Sequence, residues 1–172
     1  MDKNQHNQIS VSQDPTATDL SMMDRAIKLA AQSAELGEVP VGALVYETET
    51  GAILANAHNT REMHNNPAGH AEFSAILDAC KKIQDWRLNH CTLVVTLEPC
   101  PMCAGLIVNS RIGRLVFGAS DPKAGAVRSL FELCDDSRLN HRCEIVAGVH
   151  KDQCSTQLSE FFRNLRKQPK SD

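Results

Sequence analysis

Residues 92–103 read Thr92-Leu93-Val94-Val95-Thr96-Leu97-Glu98-Pro99-Cys100-Pro101-Met102-Cys103. Thr92 to Leu97 is a run of β-branched and aliphatic side chains, the composition of a buried strand. Pro99 stops it, because proline has no N–H for a strand ladder. Pro101 suits the first turn of a helix, and the apolar residues that follow predict a helix over Pro101 to Val108 with Cys100 at its mouth. A buried strand passing straight into a helix is the building step of an α/β fold.

Working outward, Met23, Ala26, Ile27, Ala30, Ala31 and Ala34 recur at helical spacing, and Gly37 can close that helix in the left-handed conformation. Val41 to Tyr46 and Ala52 to Ala55 are predicted strands, with Glu47 to Gly51 as a hairpin connection. Asn56 to Gly69 has no periodicity and is predicted to be a long loop, of a kind that often carries function. From His70 the period becomes helical, with Phe73, Ile76, Leu77 and Cys80 as its apolar stripe. Downstream, a strand is predicted over Leu115 to Gly118, a short helix near Ser129 to Leu133, a strand over Cys143 to Val149 and a final helix over Lys151 to Lys167. That helix places Leu158, Phe161, Phe162 and Leu165 on an apolar face. The expected architecture is a three-layer α/β/α fold around a mixed five-stranded sheet, parallel in the middle and antiparallel at the opening hairpin, with helices on both faces. Residues 1–18 are polar and are expected to be a disordered tail; residues 19–172 are expected to form one domain.

The bulk composition narrows the class. The chain has 172 residues, 42% hydrophobic and 23% charged, enough for one globular core. Its formal net charge of -3 gives no global attraction to nucleic acid. Seven cysteines, an odd number, and a polar start without a signal-peptide core argue against a secreted disulfide framework. No apolar run approaches the roughly 20 residues of a membrane span. A cytoplasmic protein with reduced thiols and no membrane partner is expected.

Two segments carry chemistry: Gly69-His70-Ala71-Glu72, and the Cys100/Cys103 pair. Two thiols opening a helix offer the bite that a tetrahedral zinc accepts, and His70 opens another helix that can meet them at one sheet edge. Helix N-termini favour the thiolate forms. Three protein ligands leave a position open for water, as catalytic zinc sites do, and Glu72 stands close enough to act as a general base. A Cys-x-x-Cys pair by itself is equally a redox pair or a structural clip; the combination with His-x-Glu is what points to catalysis. Cys80, Cys91, Cys134, Cys143 and Cys154 lack ligand spacing and are expected to be small packed residues.

On these residues the chain resembles the cytidine and deoxycytidylate deaminase superfamily, whose zinc signature is His-x-Glu with Pro-Cys-x-x-Cys. Glu38 to Ala43, Ser110 to Gly118 and Asp121-Pro122-Lys123-Ala124-Gly125-Ala126 make it similar to the bacterial tRNA-specific adenosine deaminases within that group, over roughly residues 19 to 167. The resemblance implies one Zn2+ per subunit on His70, Cys100 and Cys103, and Glu72 as the proton carrier. It implies a homodimer that converts the wobble adenosine of an arginine tRNA, in the anticodon loop, to inosine. Asn59 and the Ala71 backbone would hold the base, Glu98 and Pro99 would shape the pocket mouth, and Asp121 would contact the RNA backbone. An ordinary loop asparagine and a turn residue before Pro122 are the plain alternatives for Asn59 and Asp121.

Some positions depart from the family pattern. Asn66-Pro67-Ala68-Gly69 stands where Asp-Pro-Thr-Ala is usual, Ser120 where an arginine is common, and Arg128 where glycine is frequent. RNA contact is also suggested by cations at Arg111, Arg114, Lys123, Arg128, Arg138 and Arg142, and at Arg163, Arg166, Lys167 and Lys170. Two rival functions share the motif. One is a deaminase of a free base or nucleotide such as guanine or cytosine; the other is a non-catalytic RNA-binding or structural zinc protein.

Overall fold

In the computed structural model, which describes residues 14–167, Thr16 opens helix α1 (Ala17–Glu35) with a capping box. Its hydroxyl accepts from the Asp19 N–H, and the Asp19 carboxylate accepts from the Thr16 N–H at 2.7 Å. The helix therefore starts inside the stretch expected to be a tail; residues 1–13 of that stretch lie outside the described residues. Gly37 follows the helix at φ +80°, as its position suggested. The hairpin strands are β1 (Gly42–Glu47) and β2 (Ile53–His58). β2 runs three residues beyond the expected Ala55, because Asn56, Ala57 and His58 pair with Leu44, Ala43 and Gly42 of β1.

Helix α2 (Ala71–Ile83), strand β3 (Cys91–Leu97), helix α3 (Pro101–Asn109), strands β4 (Arg114–Ala119) and β5 (Glu144–Ala147) and helix α4 (Lys151–Leu165) complete the chain. The sheet order is β2-β1-β3-β4-β5. β1 is antiparallel to β2 and β3, whereas β3, β4 and β5 run parallel. Side chains alternate between two cores, as a pleated sheet requires. Ala43, Val45, Leu93, Val95, Leu115 and Phe117 face α2 and α3. Leu44, Tyr46, Val94 and Val116 face α1 and α4. The three-layer α/β/α arrangement is the expected one.

Two local expectations fail. α2 buries Ala71, Ala75, Ile76 and Ala79, whereas Leu77 is exposed and Phe73 and Cys80 are only half-buried. The helix lies close to the sheet, so its small residues face inward and its bulky ones flank the contact. No helix forms at Ser129 to Leu133. The crossover from β4 to β5 is irregular, and four of its backbone N–H groups, those of Asp121, Val127, Arg128 and Ser129, donate to a side chain from outside it, Glu98. Among the described residues no helix is long and apolar enough to cross a membrane.

A buried charge network ties the layers together. Arg114 on β4 donates to Asp19 of α1, at 2.8 Å for Nη2, and through Nε to Glu144 of β5 at 2.9 Å. The Tyr46 hydroxyl of β1 also donates to Asp19, at 2.9 Å. Burial, joined by the hydrogen bond with Asp19, pushes the Tyr46 hydroxyl up to about 12, against hydrogen bonding with Thr92 that lowers it.

Candidate active site

His70 and Cys100 are the N-cap residues of α2 and α3, and neither makes a side-chain capping bond. The cap position turns each side chain out of its helix, and the two helices start beside each other at the carboxyl end of β3. Pro101 at the first helical position presets α3, and Cys103 follows one turn in. The result is a cluster in which one donor atom each from His70, Cys100 and Cys103 lies within 4.8 Å of the others. His70 Nδ1 is 3.6 Å from both sulfurs.

The electrostatics match a cation. Hydrogen bonding from Cys103, then from His70, pulls the Cys100 thiol down to about 4 against the effect of burial. The Cys103 thiol is pushed up because it faces that thiolate and is buried. His70 is pushed up first by its hydrogen bond with Cys100. The trio thus holds one thiolate by sharing protons, and a divalent ion replaces those protons with a nitrogen and two sulfur bonds. Glu72 lies one residue into α2, 4% exposed, and burial pushes its carboxyl up.

A cavity of about 220 Å³ opens onto this cluster. Of the residues predicted for the site, His70, Cys100, Glu72, Asn59, Ala71, Glu98 and Asp121 line it. Cys103 sits behind, fully buried, and Pro99 is also buried outside the wall, where its carbonyl accepts from Ala126 N at 2.8 Å. Asp121 is half-buried and closes a turn, its Oδ1 accepting from the N–H groups of Lys123 and Ala124.

Glu98 touches the cavity, but its oxygens are occupied elsewhere. Oε1 accepts from the N–H groups of Val127, Arg128 and Ser129, and Oε2 from the Asp121 N–H and the Ser129 hydroxyl. These bonds outweigh burial and hold its carboxyl below the ordinary range. Glu98 is therefore a clamp on the loop that carries Asp121. Gly125 packs on it so closely that a Cβ there would stand 2.4 Å from Glu98 Cδ.

Glu38 was noted in the sequence only as part of a family segment. It is 1% exposed, and its carboxylate accepts from Asn59 Nδ2 at 3.1 Å and from the Met63 N–H at 2.6 Å. A carboxylate only accepts, so it fixes which end of the Asn59 amide faces it. Several cations singled out in the sequence are committed to other partners: Arg114 in the interior, Arg128 to Asp135 at 2.8 Å and Arg138 to Asp136 at 2.5 Å. Arg61, absent from that set, lines the cavity.

Residues 17–166 match the family model of the MafB19-like deaminases. A tRNA-specific adenosine deaminase of Bacillus subtilis (strain 168) is 49% identical over 149 residues, covering 87% of this chain and 91% of that protein. The chain belongs to the tRNA-specific adenosine deaminase family. Another member, from Haemophilus influenzae (strain ATCC 51907 / DSM 11121 / KW20 / Rd), is 45% identical over 152 residues, covering 88% of this chain and 87% of that one. A solved structure from studies of A-to-I editing by tRNA:A34 deaminases at the wobble position superimposes with a TM-score of 0.76 at 35% identity, over 80% of this chain and 99% of that chain. The deaminase family membership accounts for the mixed sheet, with the His/Cys/Cys cluster at the carboxyl end of its parallel strands.

Proposed function

We propose that this deaminase hydrolyses the wobble adenosine of a transfer RNA to inosine, with one zinc ion held by His70, Cys100 and Cys103. The observation that carries the mechanism is the three-donor cluster on the cavity wall with a buried carboxyl beside it. When bound, zinc supplies Lewis acidity that makes water a nucleophile near neutral pH. Glu72 takes a proton from the attacking water, delivers one to the adenine ring nitrogen and assists loss of ammonia, so that a C6–O bond replaces the C6–N6 bond. Burial favours its protonated form, which suits a group that receives and returns a proton.

The Asn59 amide, oriented by Glu38, and the Ala71 backbone hold the base. Glu98 and Pro99 shape the mouth by holding the 121–129 loop, which presents Asp121 to the RNA backbone. An anticodon-loop nucleotide enters such a cavity at low cost because its base is already unpaired. The family resemblance supplies the arginine tRNA, the homodimer and the cytoplasmic location; light scattering of the purified protein tests the dimer.

The deciding experiment is an inosine assay on unmodified tRNA, with guanine, cytosine and cytidine as competing substrates. Inosine at the wobble position is expected, with turnover at least about 100-fold lower in Glu72→Gln at unchanged zinc content. Ammonia released from a free base, with no inosine in tRNA, would transfer the same chemistry to small molecules.

A further inference from the structure

Among the residues lining the cavity, Arg61 alone is an arginine or lysine. Its backbone is fixed on several sides. The 60–69 loop is closed by the Thr60 N–H donating to the Gly69 carbonyl at 2.9 Å, and the Asn66 N–H donates to the Arg61 carbonyl at 3.0 Å. Glu38 pins the middle of the loop through the Met63 N–H. Gly69 is needed for the closure, since a Cβ there would come within 3.0 Å of Arg61 N and Cα. The side chain is by contrast uncommitted. Its one ion pair among the described residues is with the neighbouring Glu62, 3.8 Å away, and the two side chains are 59% and 75% exposed. A pair so long and so wet contributes little.

A rigid loop thus holds a weakly engaged guanidinium at the rim of the cavity that takes the base. A base seated there brings its own phosphodiester linkages to that rim, and a guanidinium fork matches a phosphate. The chain's net charge of -3 supplies no general attraction that would make such a contact redundant. Resting on the tRNA reading above, we infer that Arg61 binds a backbone phosphate flanking the nucleotide whose base enters the cavity. Glu62 tempers this contact by competing for the guanidinium.

The test uses the zinc-loaded full-length protein and an anticodon stem-loop RNA with a wobble adenosine, with kcat and KM measured across a series of salt concentrations. Arg61→Ala is expected to raise KM about fivefold and to reduce the salt slope of log KM by about 0.7, the value of one single-strand phosphate contact. kcat and zinc content are expected to stay within twofold of wild type. Arg61→Lys restores part of the affinity, Glu62→Gln lowers KM, and Arg25→Ala, which removes the same charge from α1, leaves KM in place. An active enzyme whose KM and salt slope ignore Arg61→Ala would overturn the inference and leave the proposed function standing. So would a loss confined to kcat. A wild-type protein inactive on every RNA would overturn both.

Discussion

At the scale of single residues, the site places metal donors where a helix usually has its cap. Serine, threonine, aspartate or asparagine at the N-cap satisfies the first free N–H groups; His70 and Cys100 make no such bond. Stability is given up for ligand geometry, and one substitution separates the two. Cys100→Ser is expected to carry well under one zinc per chain. Stripped of metal, it is expected to be more stable than stripped wild type by about 1 kcal/mol, the worth of a serine cap. Zinc analysis and thermal unfolding in chelator read the two effects, and full zinc occupancy in the variant would remove Cys100 from the ligand set. The cluster was legible in the sequence because both segments open helices and the donor types are chemically specific. Glu38 and Arg61 were not, since a charged residue in a loop is by default solvated. Only the fold shows that one is buried under Asn59 and the other stands at the cavity rim.

At the scale of elements, periodicity finds all nine among the described residues, with β2 running past its expected end and α1 starting inside the expected tail, yet it also predicts a helix at Ser129 to Leu133 that does not form. The error has a specific cause. The backbone donors of Asp121, Val127, Arg128 and Ser129 go to one buried carboxylate rather than to carbonyls of a preceding helical turn. A side chain 23 to 31 residues upstream leaves no trace in local spacing. The stripe of α2 was misplaced for a related reason, as alanines facing a close sheet carry the contact that size alone assigns to Leu77. The clamp makes the loop sensitive at Gly125. Gly125→Ala sets a methyl group 2.4 Å from Glu98 Cδ and 2.6 Å from the Asp121 carbonyl oxygen. It is expected to cost about 1–3 kcal/mol of stability through overpacking. Because the displaced loop carries Asp121, KM for tRNA should rise more than kcat falls. Urea unfolding and steady-state kinetics check the pair of effects, and a variant with wild-type stability would show that the loop yields without strain.

At the scale of the whole molecule, α1, β1 and β4 meet at Asp19, a carboxylate from the first turn of α1, and Arg114 carries the network on to Glu144 of β5. Burial alone would raise its pKa. Hydrogen bonds from Arg114, from the backbone and side chain of Thr16, and from Tyr46 reverse that and hold it below the ordinary 3.8. A carboxyl with a lowered folded value contributes its stability fully above the unfolded value and loses it as pH falls through the folded one. Asp19→Asn removes the charge but keeps the shape, leaving Arg114 with Glu144 alone. Near neutral pH the variant is expected to be less stable by roughly 3 kcal/mol, the low end for breaking a buried ion pair. Titrating groups outside this network, Glu98 among them, act alike in both proteins and cancel in the difference. The gap between the two unfolding curves should therefore hold from pH 7 down to about 5 and narrow only below 3.8, as wild-type Asp19 gains its proton. Urea unfolding of both metal-loaded proteins at neutral pH, and of both metal-free proteins across the acid range, measures it without interference from zinc release. A gap that persists unchanged into strong acid would mean that Asp19 contributes through its shape and cap rather than its charge.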